Sequence, residues 1–102
     1  MASKIDVDRI GEIHRQIEVV LLQDWDPIGV KKVPKAQDEY REYVRQVFDI
    51  AVQTRSERAV AMHLLTIERE RMGLWDFPWR WRRRVPVAQK ILALVSDFAP
   101  LP

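Results

Sequence analysis

Asp24-Trp25-Asp26-Pro27-Ile28-Gly29-Val30 is the stretch on which the reading of this 102-residue chain turns. Pro27 disfavours helical geometry in the residue before it and has no N–H for the next helical hydrogen bond, so a helix arriving from the N-terminal side must end here. Asp24 and Asp26 can accept from nearby backbone N–H groups, and Gly29 takes a positive φ cheaply. The turn is therefore specified locally. Trp25 is predicted to plug the end of a core, with an indole N–H that needs a polar partner.

One helical pattern precedes this turn. Ile10, Ile13, Ile17, Val20 and Leu21 recur at three- and four-residue steps, with Ile5, Val19 and Leu22 widening the stripe, and a helix is predicted from about Lys4 to Gln23. Ser3 or Asp6 would cap it. Three patterns follow. After the basic connector Lys31-Lys32-Val33-Pro34-Lys35, the residues Tyr40, Tyr43, Val44, Val47, Phe48 and Ala51 predict a helix over about Ala36 to Val52. Thr54-Arg55-Ser56-Glu57 has the spacing of a capping box and opens a third helix with Val60, Leu64 and Ile67 on its face, stopped by Gly73. A fourth face, Val87, Ile91, Leu94, Val95 and Phe98, begins at Pro86, where a proline suits a first helical turn.

Apolar residues make up 47% of the chain and charged residues 31%, a globular balance. No apolar run approaches the roughly 20 residues of a membrane span, and Met1-Ala2-Ser3-Lys4 opens no signal-like core. Cysteine is absent, which excludes disulfide and thiolate chemistry and fits a cytosolic setting. The net charge of +2 is unevenly spread: residues 1–74 hold 12 Lys+Arg against 13 Asp+Glu, residues 75–102 hold 5 against 2. The basic character belongs to Arg80, Arg82, Arg83 and Arg84.

Trp25-Asp26-Pro27-Ile28-Gly29-Val30, Pro34, Asp38-Glu39-Tyr40 with Tyr43, and Ile67-Glu68 before Met72-Gly73-Leu74 together resemble a group of small bacterial helical proteins that share a WDPIGV-like turn followed by a DEY helix. The resemblance spans about Val20 to Leu74. It implies a small soluble all-α protein and carries no activity to transfer. The chain departs from that pattern at Arg41, where an acidic residue is usual, and in the dense pair Trp79 and Trp81.

Each chemically suggestive group also has a plain structural reading. Asp24, Asp26, Asp38 and Glu39 supply the oxygens a divalent cation prefers, yet they are equally the residues that cap helices and close turns. His14 and His63 stand on helices with no nucleophile or second histidine at ligand spacing. Glu68 and Glu70 diverge by about 200 degrees on a helix and cannot act as a catalytic pair. Trp75-Asp76-Phe77-Pro78-Trp79-Arg80-Trp81-Arg82-Arg83-Arg84 is the least ordinary segment. Its indoles and guanidinium groups suit a bundle end, a protein partner, single-stranded nucleic acid or an anionic membrane surface, in that order of expectation.

The sequence thus predicts a single all-α domain over residues 1–102, a compact bundle of four helices with a Trp/Arg-rich loop before the last. Its expected core is Ile10, Ile13, Ile17, Val20, Leu21, Trp25, Tyr40, Val44, Val47, Phe48, Val60, Leu64, Ile67, Ile91, Leu94 and Val95. The expected function is non-catalytic: a small cytosolic protein-interaction protein, adaptor- or immunity-like, with no cofactor, metal or catalytic residue. Candidate contact residues are Trp25, Asp26, Trp79, Arg80, Trp81, Arg82, Arg83 and Arg84, and the expected partner is another protein or a second copy in a homodimer. Nucleic acid bound through the same loop is the alternative, and an enzyme stands third.

Overall fold

The computed structural model describes the backbone of residues 4–98 and side chains from residue 8 onward. The predicted cap at Ser3 and the side chains of Ile5 and Asp6 lie outside the described residues. The architecture among the described residues is an all-α bundle of four α-helices: α1 Lys4–Val20, α2 Val44–Thr54, α3 Glu57–Glu70 and α4 Val85–Leu94. Among the described residues no helix is long and apolar enough to cross a membrane.

The first helix runs past its predicted end. Leu21–Trp25 continues α1 as one π-helical turn closed by Asp26 N–H donating to Leu21 O at 2.9 Å. The wider turn lets both Leu21 and Leu22 reach the core. Asp26 then adopts a left-handed backbone, φ 33°, and the chain turns at Pro27.

The predicted start of the second helix needs correction. Residues 34–43 form successive tight turns, with 3₁₀ segments at Pro34–Ala36 and Arg41–Tyr43, and α2 begins only at Val44. Side chains hold the connector in this shape: the Gln37 amide lies within 3.1 Å of the carbonyls of Val30, Lys31 and Val33, and the Tyr40 hydroxyl bridges Asp26 and the Ile28 N–H. In 3₁₀ geometry residues three apart eclipse, so Tyr40 and Tyr43 both meet the Trp25 ring, with centroids 5.2 and 6.3 Å away.

The capping box is also revised. Arg55 is left-handed, φ 52°, which leaves Thr54 on the end of α2, where its hydroxyl donates to Ile50 O. Ser56 caps α3 instead, accepting from Ala59 N–H at 3.1 Å. At the other end Gly73, φ 68°, stops α3 as predicted, and Leu74 N–H closes the motif on Glu68 O at 2.8 Å.

The Trp/Arg loop proves to be a seven-residue 3₁₀ helix, Pro78–Arg84, running directly into α4, with Pro86 as the second α4 residue rather than the first. It packs against α3, as α4 does. Of the predicted core, Ile13, Ile17, Leu21, Tyr40, Val44, Val47, Phe48, Val60, Leu64, Ile67, Ile91 and Val95 are buried, and Ile10, Val20, Trp25 and Leu94 pack against them half-buried. Burying a side chain such as Ile17 or Leu64 completely contributes about 2 kcal/mol. Val19, expected on the stripe, is exposed, while Ala51, Ala61 and Ala88 are fully buried where helices approach closely.

Candidate interaction surface

The two singular stretches meet at one buried carboxylate. Glu68, on the inner face near the end of α3, is 6% exposed. Its Oε2 accepts from the Trp25 indole at 2.9 Å and from Arg84 Nε at 2.9 Å, and its Oε1 accepts from Arg84 Nη2 at 2.5 Å. Arg84 spends its remaining group on Asp76 Oδ2 at 2.9 Å and on the Arg80 carbonyl at 3.0 Å. A bidentate guanidinium–carboxylate pair is the strongest geometry available to these groups, and it accounts for a buried charge at each end.

This clamp ties the Trp25 turn, the end of α3 and the 3₁₀ helix into one unit. Burial alone would push the Asp76 carboxyl up, but hydrogen bonds from Arg84 and the Phe77 N–H, with the charges of Arg84 and Arg80, carry it below the ordinary carboxylate value. Asp26 behaves alike: desolvation raises it, and hydrogen bonds from Tyr40 and the N–H groups of Val30 and Lys31 outweigh that. Burial first, and then the same bond to Asp26, push the Tyr40 phenol above its usual range.

Among the eight candidate contact residues, Trp25, Asp26 and Arg84 are therefore internal struts whose polar atoms are engaged within the protein. Arg80 is intermediate, 3.4 Å from Asp76 and over the Phe77 ring at 5.3 Å. Trp81 packs half-buried against the core, flanked by the guanidinium groups of Arg58 at 5.4 Å and Arg82 at 5.5 Å. A shallow cleft of about 420 Å³ runs beside it, lined by Glu57, Arg58, Trp81, Arg82 and Val85. Trp79, Arg82 and Arg83 face solvent.

Two residues outside that set complete the surface. Trp75 is 67% exposed and Trp79 66%, and between them the Phe77 ring meets Trp75 edge-on at 4.5 Å and stacks on Trp79 at 4.3 Å. The three rings form a continuous aromatic ladder. The sequence signal for it is the spacing Trp75-x-Phe77-x-Trp79, in which Phe77 is extended and Trp79 lies at the start of the 3₁₀ helix, while the intervening Asp76 bonds Arg84.

Of the four acidic residues weighed for a cation, Asp38 and Glu39 are exposed and Asp24 and Asp26 are engaged within the protein. Asp24 pairs with Lys90 at 2.8 Å and Asp26 with Tyr40, and no group of three or more candidate ligands comes together among the described residues. His14 lies edge-on to Phe48, and in both His14 and His63 the Nε2 atom is buried with no hydrogen-bond partner among the described residues. Burial pushes both imidazoles below their usual value, and for His14 Asp49 opposes that and Arg45 adds to it. Compared with known proteins, the chain gives no significant match to a family model, a curated protein or a solved structure.

Proposed function

We propose that the protein is a non-catalytic, cytosolic interaction module, adaptor- or immunity-like, that holds a protein partner against the ladder of Trp75, Phe77 and Trp79. The observation that carries this reading is the exposure of two tryptophans side by side, at 67% and 66%, on a segment anchored by a buried ion pair. Contiguous exposed aromatic surface is uncommon without a use, and Trp and Arg are the residues that most often dominate interface energetics. Anchoring matters as well, because a preorganised surface loses less entropy on binding.

Nucleic acid is the second reading, supported by exposed Arg82 and Arg83 beside the rings. It is weakened because Arg84 is consumed internally and Arg80 is shared with Asp76. A second copy of the chain is a further candidate partner. The test is a pull-down with and without nuclease at low and high salt, comparing wild type with Trp75→Ala/Trp79→Ala, followed by reconstitution from purified components. A partner that survives nuclease and salt and is lost with the tryptophans supports the module. Recovery of nucleic acid instead, released by salt, replaces it with the second reading.

A further inference from the structure

We infer that the partner presents an acidic segment carrying apolar anchors, an inference that rests on the interaction reading above and names the chemistry it requires. The ladder offers roughly 400 Å² of aromatic surface, about half of what one side of a stable protein interface buries. The rest of the contact must come from its rim, and the rim is cationic. Arg69 lines a cleft with Trp75, Arg80 lies over Phe77, and Arg82 and Arg83 follow Trp79 in the 3₁₀ helix.

Internal pairing decides which charges a partner meets. The acids near this end of the molecule are Asp24, Glu57, Glu68, Glu70 and Asp76; Arg84 binds Glu68 and Asp76, Lys90 pairs with Asp24, and Glu57, in the cleft with Arg82, accepts from the Gln89 amide. Arg69, Arg82 and Arg83 have no acidic partner within 4.0 Å among the described residues, so the rim sets Arg69, Arg80, Arg82 and Arg83 against two acids outside any ion pair, Glu70 in the Arg69 cleft and Glu57 in the Arg82 cleft. In a 3₁₀ helix residues three apart share a row. Trp81 and Arg84 take the inner one, so that Trp79 with Arg82, and Arg80 with Arg83, form the two outer rows. The outer face of the 3₁₀ helix thus sets the single apolar anchor Trp79 among Arg80, Arg82 and Arg83.

The geometry favours a peptide over a nucleic acid. A base needs a free ring face on which to stack. One Phe77 face is covered by Trp79, stacked 4.3 Å away and 20° from parallel, and the Arg80 guanidinium also lies over the ring. A base is thereby confined to Trp75 or the outer face of Trp79 and cannot enter between Phe77 and Trp79, whereas aliphatic side chains can lie along the whole outer edge of the ladder while carboxylates reach the arginines.

The experiment is selection of a random linear-peptide library on the wild-type protein, with counter-selection on Trp75→Ala/Trp79→Ala, both checked by circular dichroism. Enriched peptides are expected to combine Asp or Glu with apolar residues. Their affinity should fall about tenfold in Arg82→Gln/Arg83→Gln, and further in Arg82→Glu/Arg83→Glu. Peptides that depend on the tryptophans but carry no excess acid, or that ignore the charge reversal, overturn the acidic partner and leave the interaction module standing. Failure to enrich any tryptophan-dependent peptide overturns both. Displacement of the peptides by a single-stranded oligonucleotide that binds more tightly also overturns the inference, in favour of nucleic acid.

Discussion

A buried guanidinium is costly unless its donors are met, and Arg84 meets them through Glu68, Asp76 and the Arg80 carbonyl. Arg84→Met removes that partner and strands the Glu68 carboxylate. We expect a loss of about 3–5 kcal/mol in urea unfolding, and expect Arg84→Met/Glu68→Gln to recover part of it, since the neutral amide tolerates burial better. A loss below about 1 kcal/mol would show that the clamp is not what holds these elements together. His63 sets a second expectation. Its folded-state pKa is lowered, so the unfolded chain takes up the proton first as pH falls through 6.5, and stability present above that value declines below it. His63→Leu should flatten the dependence of the unfolding midpoint between neutral pH and about pH 5. An unchanged slope would assign the dependence to other groups, His14 among them.

At the scale of elements, the connector before α2 illustrates tertiary override. The apolar period across Tyr40, Tyr43 and Val44 suits a helix, but a helix there would forfeit the Tyr40 bridge between Asp26 and Ile28 and the Gln37 contacts to three carbonyls. Tyr40→Phe keeps the ring on Trp25 and removes the bridge. It should cost about 1–3 kcal/mol by removing a hydrogen bond to the charged Asp26, which keeps the Val30 N–H, and the acceptor of the Ile28 N–H, measured by thermal or urea unfolding. Gly73 is a case in which local chemistry sufficed. No atom lies within 4 Å of where a Cβ would sit, so Gly73→Ala should lose only the left-handed backbone cost of about 1–2 kcal/mol. A larger loss would point to packing that the open space around Gly73 does not suggest.

For the whole molecule, the four tryptophans divide into two classes. Trp25 and Trp81 pack against the core, whereas Trp75 and Trp79 stand in solvent. Trp75→Ala/Trp79→Ala should therefore remove most of the acrylamide-quenchable emission while changing stability by less than about 0.5 kcal/mol. A large stability loss would mean that the ladder belongs to the core and would undercut its role as a contact surface. The distribution of arginines follows the same division, with Arg84 enclosed and Arg82 and Arg83 presented.

Four amphipathic faces, the stop at Gly73, the turn at Pro27 and the demand of Trp25 for a polar partner are all consequences of local sequence. Helical period, proline sterics, glycine φ freedom and the indole N–H act over a few residues. Which acid answers Trp25, which of four clustered arginines is consumed, and which tryptophans reach solvent are not local properties. Trp25 and Glu68 lie 43 residues apart and Arg84 and Glu68 16 apart, so only packing α3 against the turn and the 3₁₀ helix brings them within bonding distance. The same holds within the 3₁₀ helix: spacing alone puts Trp81 with Arg84, Trp79 with Arg82 and Arg80 with Arg83, and only packing against α3 selects the first of these rows as the inner one.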